Sequence, residues 1–155
     1  ANYYCNKCSP RFVLLHTFAH LLIRQITLQC GYSTSALKER IYTTETDGDN
    51  LYEMEGIFIY TASPDSEGSL GGLVSQGRSS NIENTIIKTL DKSRWCSSDP
   101  LCVQSGGQGL NSLNLAACHS CALLPETSCE MRNLFLDRAT LIGTLENKNI
   151  GFFNF

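Results

Sequence analysis

The chain has 155 residues, enough for one domain with its own hydrophobic core. Hydrophobic content, 42%, is ordinary for a globular protein, while charged content, 17%, is low. A net charge of -3 excludes a basic nucleic-acid clamp made of the whole domain, and the longest apolar run, Phe12 to Ile23, is broken by histidines and too short to span a bilayer.

In chain order, Arg11 to Cys30 is apolar on nearly every side and free of Gly and Pro after its start, which predicts a buried helix. Ser9 is the expected N-cap, Pro10 the first-turn residue and Gly31 the stop. A short second helix, capped by Ser33 or Ser35, is expected through Arg40, followed by a polar loop or hairpin tip over Thr43 to Asn50. Glu55 to Ala62, with GIFIYTA at its centre, is β-branched and aromatic and predicts a central strand. It leads into a glycine-rich polar loop, Ser63 to Leu73. A third helix is expected over Asn81 to Trp95, capped by Ser79 or Ser80, with Ile82, Ile86, Leu90 and Trp95 on one face. Glu126 to Leu136 has a helical pattern, and Thr140 to Thr144 suits a last strand. The aromatic tail, Gly151 to Phe155, suits packing onto the body or onto a further segment.

Five of the eight cysteines fall between Cys96 and Cys129. That concentration, around the CxxC knuckle Cys118-His119-Ser120-Cys121, suits metal in a reducing cytoplasm better than a secreted disulfide framework. Cys129, Cys96 and Cys102 are the further candidates, one more thiolate than tetrahedral zinc needs, and His119 is a weaker one. With every position supplied by cysteine, such a site is structural. The competing reading is a thioredoxin-type redox pair at Cys118 and Cys121. Cys5 and Cys8 form a second CxxC, read as two thiols near the chain's start or half of another site.

Two features invite a catalytic reading. His16 and His20 stand four residues apart on the first helix, so their imidazoles share a face. The zincin motif fails, because Thr17 stands where its Glu would be. Asp65 and Glu67 lie in a glycine-rich loop after a strand, with Ser66 and Ser69 nearby. Together these residues frame the alternative function, a metal-dependent hydrolase or nuclease using His16, His20, Asp65 and Glu67. The simpler reading is buried packing histidines and a tight turn. GxxxxGK[ST] does not occur, so ATP hydrolysis by this chain is not expected. Lys88, Lys92 and Arg94 cluster near the end of the third helix, as a small phosphate-contacting patch or as a solvated face.

The strings LHTFAHLLIRQ, YTASPDSEGSLGGL, RWCSSDPLC, LNLAACHSCALLPETSC and FLDRA, in this order, resemble the C-terminal zinc-binding domain family of MrfA-type DNA-repair helicases. They resemble in particular the DrmB-like branch, found in the DISARM antiphage defence system, and the resemblance runs from about Arg11 to Gly143. It implies a structural zinc ion held by Cys118, Cys121, Cys129 and either Cys96 or Cys102. It also implies a non-catalytic accessory role beside a helicase motor or helicase-like partner subunit, with protein docking and DNA contact and no membrane partner. The expected fold is mixed α+β: one domain with a small sheet, a buried N-terminal helix and a zinc-stabilised loop region. The expected divisions are a disordered or truncated N-terminal segment (1–10), the zinc-binding domain (11–145) and a C-terminal tail (146–155). An opening at Ala1 and the absence of a signal-peptide pattern suggest a piece of a longer cytoplasmic protein.

Overall fold

A computed structural model describes residues 8–43, 54–62 and 72–153. The first helix, α1 (Pro10–Cys30), begins as its sequence dictates: the Ser9 hydroxyl accepts the Phe12 N–H at 3.1 Å and Pro10 occupies the first turn. It stops at Gly31, whose φ of 73° turns its N–H back to the Thr27 carbonyl at 2.9 Å. Residues 19–23 are all buried, so the middle of α1 is wrapped by the rest of the domain, while Arg11 and Leu28 near its ends are exposed.

The second helix expected through Arg40 is a single 3-10 turn, Thr34–Ala36, capped by Ser33. The chain then extends as β1 (Leu37–Tyr42), antiparallel to β2 (Gly56–Thr61), with Leu37 opposite Thr61 and Tyr42 opposite Gly56. The physical reason is a period of two: Leu37 and Glu39 both face inward and are buried. Among the described residues β2 pairs only with β1 and none of its residues is fully buried, so it is not the central strand its composition suggests. The expected loop at Thr43 to Asn50 lies, apart from Thr43, outside the described residues.

Two helices follow, α2 (Gly72–Gln76) and α3 (Ser79–Ser93), the latter with Arg78 rather than a serine at its N-cap. The fully buried positions of α3 are Thr85, Thr89, Leu90 and Ser93. The three hydroxyls return to carbonyls of their own helix, Thr89 to Thr85 at 2.7 Å and Ser93 to Leu90 at 2.6 Å, which lets a polar stripe pack without orphaned groups. Trp95 stands 70% exposed, off the face expected for it.

Beyond Cys96 the chain is mostly turns. Glu126 to Leu136 is not a helix: only Glu126–Ser128 forms a 3-10 turn. Arg132, Asn133 and Phe135 then take positive φ. Asn133 drives the departure, because its side chain accepts the Leu124 N–H at 2.9 Å and donates to the Leu124 carbonyl at 2.7 Å. The expected last strand is instead a short helix, α4 (Ala139–Ile142). It ends at Gly143, with φ of 79°, where a side chain would collide with the backbone of Lys148. The tail packs on the body: Phe152 and Phe153 donate to the Thr140 and Leu141 carbonyls at 2.9 Å, and Phe153 lies against Phe18.

The fold is thus mixed α+β, with four α-helices and a two-stranded sheet among the described residues. Two core clusters flank α1, one around Ile23 and Leu37, the other around Leu136 and Leu141. No helix of the described residues is long and apolar enough to cross a membrane.

Candidate metal centre

Two chain segments meet at the cysteines. The end of α3 delivers Cys96 into a turn organised by Asp99, whose carboxylate accepts the backbone N–H groups of Cys96 (2.9 Å) and Val103 (3.1 Å). Arg138, fully buried, clamps this turn by donating to Asp99 at 2.6 Å and to the Ser93 carbonyl at 3.1 Å. Opposite lies the knuckle, closed by N–H bonds of Cys121 and Ala122 to the Cys118 carbonyl at 3.1 and 2.9 Å. Arg24 of α1 reaches over the knuckle's outer carbonyls, His119 at 3.3 Å and Ser120 and Leu123 at 3.0 Å.

The arrangement gathers Cys96, Cys102, Cys118 and Cys121 into one cluster. The Cys96–Cys118 sulfur separation is 3.5 Å, and Cys102–Cys121 and Cys118–Cys121 are each 3.8 Å. A tetrahedral zinc ion with bonds of about 2.3 Å holds its sulfurs about 3.8 Å apart, so the donor set and its size fit that ion. Hydrogen bonds aimed at sulfur complete the cage: Ser98 N–H to Cys96 at 3.4 Å, Cys118 N–H to Cys121 at 3.2 Å, and the Gln108 amide to Cys102 at 3.7 Å.

The electrostatics point the same way. Burial pushes the Cys102 thiol up to about 11 and raises Cys121 further. Burial also acts to raise Cys118, but hydrogen bonds from Cys96, the Ser120 backbone and Ser98 outweigh it and hold that thiol at about 6. Four crowded sulfurs cannot all ionise without a counter-charge, and a divalent cation supplies it.

Cys96 and Cys102 therefore both join the knuckle, whereas Cys129 does not share their cluster. The Cys129 sulfur lies 3.2 Å from His16 Nε2, in a second buried group with His20 and Glu39. His119 is exposed and outside the four-sulfur set. His16 and His20 have no exposed surface, an arrangement that does not favour the hydrolase or nuclease alternative. Asp65, Glu67, Ser66, Ser69 and Cys5 fall outside the described residues. Sequence reasoning missed Glu39, Asp99 and Arg138. The alternation of Leu37, Glu39 and Ile41 was the available signal for the first, and chain pattern offers none for the pairing of the other two.

Residues 18–122 match the family described as the MrfA Zn-binding domain. The chain is also 46% identical over 142 residues to a protein of Bacillus paralicheniformis named DISARM protein DrmB. That alignment covers 92% of this chain and 24% of the relative, so the chain spans about a quarter of the relative's length. Family match and extended identity agree with the four-cysteine cluster, and the chain belongs to the MrfA Zn-binding domain family.

Proposed function

We propose that this chain is a non-catalytic accessory module of a DrmB-like antiphage defence protein, held in shape by a structural zinc ion on Cys96, Cys102, Cys118 and Cys121. The observation that carries the reading is the four-sulfur cluster itself, closed by protein donors on every side. When bound, the ion supplies a cross-link between the end of α3 and the knuckle rather than an open coordination position. All four cysteines lie within the matched span 18–122, and Cys129 lies beyond it.

Function then resides on the surfaces the ion fixes. The module docks on a helicase-like partner, as the resemblance implies, and contacts DNA beside the cysteine cluster. Support for the DNA surface comes from Trp95, 70% exposed and next in sequence to Cys96, with Lys92 one turn earlier on α3. An exposed indole flanked by a cation is a stacking platform for an unpaired base.

The test is co-purification of the whole protein with the helicase-like subunit of its system, for the wild type and Cys118→Ser. The reading requires the wild type to bring the subunit down and the variant to lose both the ion of the four-cysteine cluster and the partner. A wild-type protein that holds zinc and never binds the subunit overturns the docking role.

A further inference from the structure

His16 and His20 of α1 form, with Glu39 of β1 and Cys129, a second buried group apart from the four cysteines. His16 Nε2 lies 2.9 Å from Glu39 Oε1 and 3.2 Å from the Cys129 sulfur, and His20 Nε2 lies 3.2 Å from the same Glu39 oxygen. One donor atom from each residue lies within 4.8 Å of every other. Both histidine side chains are 0% exposed and that of Glu39 1%.

A hydrogen-bond network alone accounts poorly for this geometry. His20 Nδ1 faces the Ala122 carbonyl at 2.9 Å; a carbonyl only accepts, so Nδ1 carries the proton. With that single proton on the ring, the lone pair of Nε2 would face a carboxylate oxygen, an acceptor against an acceptor. The second Glu39 oxygen, Oε2, is buried with no hydrogen-bond partner. An unpaired oxygen of a buried carboxylate is costly, and a cation relieves it.

We propose that His16, His20, Glu39 and Cys129 form a second metal site, separate from the four cysteines, that takes a late first-row divalent ion, zinc foremost. Two imidazoles, a carboxylate and a thiolate are borderline donors suited to that class. The charges cancel: the carboxylate and the thiolate balance the ion, and both histidines stay neutral. The Cys129 proton leaves to solvent as the ion enters. Ideal tetrahedral zinc spaces nitrogen and oxygen donors about 3.3 Å apart and a nitrogen–sulfur pair about 3.6 Å, so the group opens by a few tenths of an ångström to admit it. The outer contacts are of the kind metal ligands use: His20 Nδ1 on the Ala122 carbonyl, and the Asn133 N–H on the Cys129 sulfur at 3.2 Å. Helix α1, strand β1 and the turn after Ser128 are tied together at this point. The closed donor set describes a structural ion.

The test is elemental analysis of the whole purified protein as wild type, Glu39→Gln, His20→Ala, Cys118→Ser and the double variant Glu39→Gln with Cys118→Ser, with zinc X-ray absorption on the wild type. Each substitution is expected to remove one equivalent of metal, and the double variant two. The wild-type spectrum is expected to need a nitrogen or oxygen shell near about 2.0 Å beside the sulfur shell near about 2.3 Å. Metal content unchanged in both Glu39→Gln and His20→Ala overturns the site. Should these variants fail to fold, the wild-type spectrum decides: an all-sulfur shell overturns the proposal.

Discussion

Arg138 and Asp99, 39 residues apart in sequence, meet at 2.6 Å with the guanidinium fully buried. The same carboxylate holds the turn between Cys96 and Cys102, so the pair decides whether two of the four sulfurs are in place before an ion arrives. Replacing Arg138 with Met leaves Asp99 without its partner in a largely buried setting. The expected cost is about 3 kcal/mol of folding stability. Zinc affinity should fall at least about tenfold, as for other groups that orient ligands. Denaturant unfolding and competition with a chromophoric chelator measure the two effects.

The partition of the cysteines makes a sharper prediction. Cys102→Ser should weaken zinc at the four-sulfur cluster by far more than about tenfold, since a ligand is lost outright. Cys129→Ser should leave that ion's affinity unchanged. Chelator competition on the two variants separates them, and equal weakening would contradict the clustering of Cys102 with the knuckle.

Acid should strip the four-sulfur cluster. In the metal-free chain the Cys118 thiol, held at about 6, is largely ionised near neutral pH, while Cys102, raised to about 11, is protonated. Binding an ion therefore expels protons, and affinity must rise with pH and fall as pH drops. Each proton released makes the affinity change by about tenfold per pH unit. A chelator titration at several pH values gives the slope, and a flat profile would exclude thiolate ligation.

Trp95→Ala tests the surface beside the cluster. The side chain is exposed, so folding stability should change by less than about 0.5 kcal/mol. Removing one stacking platform should weaken single-stranded DNA binding about tenfold. Fluorescence anisotropy with a labelled oligonucleotide reads this directly, and unchanged affinity would remove Trp95 from the contact.

The ends of α1 were legible because Ser9, Pro10 and Gly31 act locally, each through one backbone bond or one torsion. Strand β1 was not, because LKERIY turns a glutamate inward. Glu39 looks like a solvent-facing residue until His16 and His20, contributed by the preceding helix α1, are set against it. The helical pattern of Glu126 to Leu136 was lost to Asn133, whose side chain claims the backbone of Leu124. At the cysteines, spacing identified the knuckle but could not tell which distant sulfurs join it. Cys129 lies only eight residues beyond Cys121, yet it keeps company with α1.

His16, His20 and Arg24 recur every four residues along α1, so they form a single row about 12 Å long. The first two meet Glu39 and the third holds the knuckle carbonyls. A rigid helix cannot shift at one end of that row without disturbing the other. A partner that pulls or rotates α1 therefore acts on the buried carboxylate and on the cysteine knuckle in the same motion. By reciprocity, whatever tightens either end makes α1 harder for that partner to displace.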